Sequence, residues 1–301
     1  MTTAGQPNLV ATLTATRESR SLSWAVVSAG SVLAVLVVWL YAGVVAGMAR
    51  QWWQDPNWSH GFAVPAFSAF LLWRGRGRWR AAVVRPSLLG LAGIAASLAL
   101  LVAGSLGAEL FTTRFSLVMM LGSLVVYVAG WRALRAVAFP LGYLLLMIPW
   151  PAIVYAQATL PLQLLASRLA AAALELVRVP VLREGNLLVL ANRTLEVADA
   201  CSGIRSLVSL VTLAAAYGYL AEQRWWLRVA LAGLMVPIAV VSNAARIFGT
   251  GVLTYAVSPR LAEGFFHEFS GWLIFLTAAA LMAALHAMLR PLARWAEPTG
   301  G

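Results

Sequence analysis

The 301-residue chain has no lysine, a single cysteine and three histidines, and only 11% of its residues are charged. One cysteine excludes an intramolecular disulfide. So little charge excludes an ordinary soluble domain, in which about a quarter of the residues are charged. The sequence also lacks a Gly-rich phosphate loop and a compact zinc-ligand spacing. We therefore expect neither a cofactor nor a metal site.

Apolar residues are what the chain has in abundance. They make up 61% of the sequence, against about 45–50% in soluble domains, and they occur in long runs. These runs predict an all-α polytopic membrane protein with about eight transmembrane helices. The expected spans are residues 24–48, 61–73, 87–106, 115–131, 136–150, 203–221, 229–257 and 271–289.

The arginines predict the orientation of these spans. With the N-terminus inside, the cytoplasmic segments hold 13 arginines and 3 acidic residues, and the other side holds 9 arginines and 8 acidic residues. Arginine-rich loops stay cytoplasmic, so we expect cytoplasmic tails at 1–23 and 291–301 around a single transmembrane domain, 24–290. The arginines form short clusters between apolar runs, which favours lipid contact over nucleic-acid binding.

The longest stretch without an expected span is 151–200. Residues 155–177 carry Arg168 and Glu175 on one helical face, which favours an interfacial or re-entrant amphipathic helix, with a ninth span as the alternative. Two β-prone runs, 180–190 and 193–197, then flank a turn and predict a short extracytoplasmic β-hairpin. This hairpin would lead the chain to its cysteine and form part of a cap over the site.

Three reactive side chains are expected at the extracytoplasmic ends of spans. Cys201 precedes the sixth span, Arg246 lies toward the outer end of the seventh, and His267 precedes the eighth. A thiol at a helix N-terminus beside an arginine is placed to ionise. A thiolate nucleophile, an imidazole proton carrier and a guanidinium donor supply the roles that acyl transfer needs. Taken singly, each also fits a structural role: a buried thiol, a snorkelling arginine, a hydrogen-bonded histidine.

Further polar residues near this face are expected to bind substrate or to support the catalytic residues. They are His60, Arg205, Glu196, Asn243 and Glu268. The third histidine, His286, lies near the inner end of the last span, and we expect it to be structural.

Four segments around these residues resemble the motifs of the exosortase/archaeosortase family. In chain order they are Asp55-Pro56-Asn57-Trp58-Ser59-His60-Gly61, Ala200-Cys201-Ser202-Gly203-Ile204-Arg205, Asn243-Ala244-Ala245-Arg246 and Phe266-His267-Glu268-Phe269-Ser270-Gly271-Trp272. Four motifs in the family's order are more specific than any one of them. The resemblance covers about residues 50–280.

The resemblance implies a membrane cysteine transpeptidase, typical of Gram-negative bacteria that make exopolysaccharide. Cys201 would be the nucleophile, Arg246 the oxyanion or orienting residue and His267 the acid/base. The substrates would be exported proteins that end in a Pro-Glu-Pro-type signal, a transmembrane helix and a basic tail, and they would be transferred to a surface acceptor. Outer-face arginines such as Arg183, Arg193 and Arg205 are candidates to contact the signal's glutamate, or else are solvated surface charge.

Three other interpretations fit the same sequence. The first is a non-enzymatic membrane component of an exopolysaccharide export or assembly system. The second is a transporter in which Arg246 and His267 line a path, although the sequence shows no inverted repeat. The third is a protease that only hydrolyses, because hydrolysis and transfer share the same acylation half-reaction.

Overall fold

The computed structural model describes residues 9–81, 84–191, 194–196, 204–257 and 265–295. Over these ranges the chain is mostly helical. The α-helices are α1 (Leu9–Gln54), α2 (Ala63–Arg74), α3 (Arg76–Ala81), α4 (Leu89–Leu106), α5 (Leu110–Ala129), α6 (Trp131–Tyr143), α7 (Ala152–Leu176), α8 (Ile204–Ala221), α9 (Trp225–Ala256) and α10 (Phe265–Trp295). Contacts divide the chain into two compact units, Met1–Met48 and Ala49–Gly301, and the packing below lies in the second.

Five helices of the described residues are long and apolar enough to cross a membrane. They are Ser31–Gln54, Leu89–Leu106, Leu110–Ala129, Trp225–Ala256 and Gly271–Pro291. A sixth crossing is made if the segments Trp131–Met147 and Ala152–Leu176, which meet at an angle of 80°, count as one broken span. The chain is therefore a polytopic all-α membrane protein, and the count of eight spans is not confirmed.

The short helices account for the difference in count. Where a span was expected at 61–73, a first 3₁₀ helix (Pro56–Phe62) takes the opening residues and leaves α2 only 12 residues. The apolar part of α8 is Arg205–Ala221, slightly shorter than a standard span.

The expected span 136–150 ends early, before Pro149, whereas Pro140 lies inside helix α6. Helix α6 gives way after Tyr143 to a second 3₁₀ helix (Leu144–Met147), and Ile148, the residue before a proline, is extended. A residue that precedes proline is sterically disfavoured in the α conformation. The chain turns here into α7, so the segment 155–177 is one arm of the bent pair.

Helices α4 and α5 form an antiparallel hairpin whose backbones touch. A Cβ atom at Gly90 would collide with the backbone of Tyr127, and one at Gly104 would lie 2.8 Å from the Thr113 side chain. Small residues at such positions let two apolar helices approach closely. The hairpin is therefore closed by its own contacts.

The β region is a three-stranded antiparallel sheet where one hairpin was expected. Its strands are β1 (Val181–Glu184), β2 (Leu187–Leu190) and β3 (Thr194–Glu196), in the order β1-β2-β3. Gly185, with φ +65°, sits in a tight turn that splits the run 180–190 into two strands, because glycine adopts positive φ without a steric cost. Strands β2 and β3 pair across residues 191–193, with Leu188 opposite Leu195.

Two buried clusters hold the site's helices in place. The first joins the sheet to α7 and α9 through Ala166, Ala170, Ala171, Leu174, Val179, Leu188, Leu190 and Ile247. The second joins α8, α9 and α10 through Leu210, Ala214, Met235, Ile238, Ala239, Ala278 and Met282. Because Ile247 follows Arg246 in α9, the first cluster fixes the helix that carries this arginine.

Candidate active site

A cavity of about 550 Å³ opens where the first 3₁₀ helix, α8, α9 and α10 meet. Its volume lies within the range of about 300–1,000 Å³ that is typical of ligand sites. The residues lining it are Pro56, Ser59, His60, Arg205, Ser206, Ser209, Arg246, Gly271, Trp272 and Phe275. Three of the residues singled out from the sequence, His60, Arg205 and Arg246, are thus brought to one place. These three residues are far apart in the sequence, so no local pattern predicts that they line one cavity.

The first 3₁₀ helix is a rigid platform for His60. Asp55 caps it, since its Oδ1 accepts a hydrogen bond of 2.9 Å from the backbone N–H of Asn57, and Pro56 takes the first helical position. Near the end of this 3₁₀ helix, Gly61 packs directly against the ring of Trp52. The indole Nε1 of Trp52 donates to the Met147 carbonyl at 3.0 Å. The platform is therefore tied to the second 3₁₀ helix.

His60 lines the cavity and is partly buried. Its Nδ1 lies 3.5 Å from Ser209 Oγ of α8, and its buried Nε2 makes no hydrogen bond of good geometry within the described part of the chain. Burial lowers the pKa of His60, and the nearby carbonyls of Leu146 and Asn57 oppose only part of this shift. The imidazole is accordingly neutral near pH 7, a form that can accept a proton.

Arg205 connects this platform to α8. Its Nε donates a 2.9 Å hydrogen bond to Asn57 Oδ1, across 148 positions of sequence. Together with the contact between His60 and Ser209, one helical turn further along, this bond fixes the first 3₁₀ helix against α8. Arg205 was expected near the site from the sequence, whereas its partner Asn57 was not singled out, although it lies in the Asp55–Gly61 motif.

Arg246 reaches the cavity from α9. It is partly exposed, and a Cβ atom built on Gly271 of α10 would lie 3.9 Å from its Nη1. The guanidinium therefore lies within van der Waals reach of α10 at Gly271. Asn243, one turn before Arg246, is buried, with 3% of its surface exposed.

The other expected site residues are only partly described. Cys201 lies outside the described residues, three positions before α8 begins. The backbone of His267 lies in the first turn of α10, four positions before Gly271, so these two positions share a helical face. Glu268 follows His267 in α10, and Glu196 ends β3. For Glu196, His267 and Glu268, the structure describes the backbone alone.

The outer-face arginines that were expected to contact the substrate's glutamate can also be located in the structure. Arg183 lies in β1, donates to the Gly185 carbonyl at 2.8 Å and does not line the cavity, whereas Arg193 lies outside the described residues. In the part of the chain that is described, no three histidine, cysteine or carboxylate side chains are grouped as metal ligands would be.

The fold and the cavity define a polytopic helical membrane protein with two arginines and a histidine gathered at one end of a helical bundle. The model of the transmembrane exosortase family (Exosortase_EpsH) matches residues 52–284, most of the chain. The chain therefore belongs to the transmembrane exosortase family, as its four motifs predicted. No curated protein and no solved structure matches it.

Proposed function

We propose that the chain is a membrane-embedded cysteine protease and transpeptidase. It cleaves a C-terminal Pro-Glu-Pro-type sorting signal of exported proteins and transfers them to a cell-surface acceptor. The observation that carries this proposal is the cavity itself, in which Arg246 and His60 meet Arg205, four residues after the chain's one cysteine. Membership of the transmembrane exosortase family supports it.

The chemistry proceeds in two acyl-transfer steps. The Cys201 thiol gives its proton to His267, and the thiolate attacks the carbonyl carbon of the scissile peptide. Arg246 donates hydrogen bonds to the oxyanion that forms. As the C–N bond breaks, the His267 imidazolium protonates the leaving amine, and the exported protein remains as a thioester on Cys201.

The thioester is then resolved by the acceptor. An amine or hydroxyl group of the acceptor attacks the carbonyl carbon, the C–S bond breaks, and the acceptor's proton passes through His267 to the thiolate. Water in the acceptor's place gives hydrolysis. In this proposal His60, Asn243, Glu196 and Glu268 support the catalytic residues or contact the substrate.

The proposed setting is the bacterial inner membrane, with both termini in the cytoplasm and the cavity at the extracytoplasmic face. The substrate's transmembrane helix would lie in the lipid beside the bundle. Confinement to the membrane raises the effective concentration of its signal at the cavity. Membrane lipids and the acceptor are then the remaining partners.

The test is cleavage of a co-expressed reporter that ends in a Pro-Glu-Pro signal, a transmembrane helix and a basic tail. We expect the wild-type protein to remove the tail and the Cys201→Ala protein, present at equal level, to leave it intact. Mass spectrometry of the new C-terminus separates transfer from hydrolysis. Equal cleavage by both proteins would refute the assignment of Cys201 as the nucleophile.

The same preparations test the non-enzymatic alternative. A membrane-impermeant maleimide should label Cys201 of the wild-type protein from the extracytoplasmic side. If the reporter stays intact and the thiol is also unreactive, the result favours a non-enzymatic component of exopolysaccharide export.

A further inference from the structure

Two arginines line the cavity, and the proposed chemistry assigns Arg246 to the oxyanion. Arg205 lines the same cavity from α8. Its guanidinium is thereby placed to contact an anionic group of a substrate bound in the cavity.

Asn57 orients Arg205 toward that role. The Asp55 carboxylate holds the backbone N–H of Asn57 at 2.9 Å, and the Asn57 carboxamide oxygen accepts from Arg205 Nε at 2.9 Å. A guanidinium has five N–H donors in one plane. The bond to Asn57 uses the Nε donor and thereby fixes the plane in which the two terminal nitrogens lie.

We propose that Arg205, oriented by Asn57, is the subsite for a carboxylate side chain of the substrate. This inference rests on the proposed function, and it assigns recognition of the substrate's acidic residue to one arginine. A planar guanidinium binds a carboxylate through two parallel hydrogen bonds, a geometry that a point charge does not provide. The preferred residue is therefore glutamate or aspartate.

The rest of the cavity fits the residues on either side of such an acidic side chain. Pro56, Trp272 and Phe275 contribute apolar surface to its lining. Contact with this surface suits apolar neighbours of the acidic residue. Arg183 does not line the cavity and donates instead to the Gly185 carbonyl in its own β-turn, so it serves as the matched control arginine.

Binding to the uncleaving Cys201→Ala protein is the first measurement. The probes are a fluorescent Pro-Glu-Pro peptide and the same peptide with glutamine in place of glutamate. A hydrogen-bonded ion pair contributes enough to predict about 10- to 100-fold tighter binding of the glutamate peptide. In the Arg205→Gln background this preference should vanish, whereas Arg183→Gln should retain it.

Kinetics on the active protein separate recognition from chemistry. Arg205→Gln should raise KM for the glutamate reporter, and Arg246→Ala should lower kcat. An Arg205→Glu protein should process a reporter whose signal carries arginine in place of glutamate better than it processes the original. Such a charge swap does not rescue a residue that only braces α8.

Asn57 is tested as a positioning residue. Asn57→Ala should raise KM for the glutamate reporter about 3- to 10-fold, since it removes one hydrogen bond from the guanidinium. Asn57→Asp keeps the acceptor but places a competing carboxylate beside Arg205, so it should weaken the preference for glutamate further. The readout for both changes is the ratio of kcat/KM for the glutamate and glutamine reporters, because a general disturbance of the platform lowers cleavage of both reporters alike.

The outcomes separate this inference from the proposed function. If the wild-type protein cleaves the reporter while glutamate and glutamine peptides bind alike, the subsite is refuted and the protease stands. If the Cys201→Ala protein prefers the glutamate peptide through Arg205 but the wild type cleaves nothing, the subsite stands and the protease is refuted. Loss of the preference in Arg183→Gln, or binding of neither peptide, overturns the subsite.

Discussion

We expect the stability of the fold to depend on the protonation of a single residue, His60, in mild acid. Its folded pKa lies below the ordinary value of 6.5 because burial disfavours the charged imidazole. As the pH falls below about 6.5, the unfolded chain binds a proton that the folded chain still excludes, and stability is lost until the folded pKa is reached.

We therefore predict that the melting temperature of the wild-type protein in detergent falls between pH 7.5 and pH 5. In His60→Gln the fall should be shallower, because this substitution removes the titrating group and keeps a polar side chain of similar reach. Parallel curves for the two proteins would show that His60 is not the group responsible.

Gly61 affects the same 3₁₀ helix sterically, because it packs closely against the ring of Trp52. A Cβ atom there would lie within 2.6 Å of several atoms of the Trp52 ring, and Trp52 holds the Met147 carbonyl. Overpacking of this kind costs about 1–3 kcal/mol.

Accordingly, Gly61→Ala should lower the free energy of unfolding by about that amount and should reduce reporter cleavage by displacing His60. Gly233→Ala in α9 is the matched control, because a Cβ atom there meets nothing within 4 Å. It should be neutral or stabilising by up to about 1 kcal/mol. Equal stability of the two variants in thermal unfolding would contradict the proposed close contact.

At the scale of helices, the end of the α8–α10 bundle away from the cavity is closed by polar side chains. His286 of α10 is buried; its Nδ1 lies 2.8 Å from the Tyr217 hydroxyl of α8, and its Nε2 lies 3.4 Å from Glu222 Oε2. Glu222 in turn accepts from the backbone N–H of Arg224 at the start of α9. One histidine thus ties three consecutive helices, which agrees with its expected structural role.

His286→Leu should destabilise the protein by about 1–3 kcal/mol, because it leaves Tyr217 and Glu222 without this partner. At a temperature where the variant remains folded, its reporter cleavage should match that of the wild type. His267→Ala should show the reverse, normal stability with lost cleavage. An inactive but stably folded His286→Leu protein would refute the structural assignment.

The helices and strands show which parts of the fold local sequence patterns can predict. The apolar runs predicted the helices over 87–106, 115–131, 229–257 and 271–289 because length and apolarity alone distinguish such segments. The apolar and β-prone runs gave wrong boundaries where a proline or a glycine turn interrupts the regular backbone. The expected span 136–150 ends before Pro149, where Ile148 is extended, and the turn at Gly185 divides a β run that was expected to be one strand.

For the whole molecule, the resemblance of four motifs predicted the family. His60, Arg205 and Arg246, which line the cavity, were among the residues that the sequence singled out. The bond between Arg205 and Asn57 could not be foreseen, since its partners lie 148 positions apart and no periodicity relates them. The burial of His60 likewise depends on α8 packing against the first 3₁₀ helix, a tertiary contact.

The α4–α5 hairpin is synthesised before the helices α8, α9 and α10 that line the cavity. The cavity draws its walls from the first 3₁₀ helix and from α8, α9 and α10, which lie on either side of this hairpin in the chain. Closed by its own glycine contacts, the hairpin can enter the membrane as a finished piece long before the last helix leaves the ribosome. A nascent chain that has just exposed its cysteine still lacks Arg246 and Gly271. The lining of the cavity is therefore complete only when translation has nearly finished, because α10 is the last described helix of the chain.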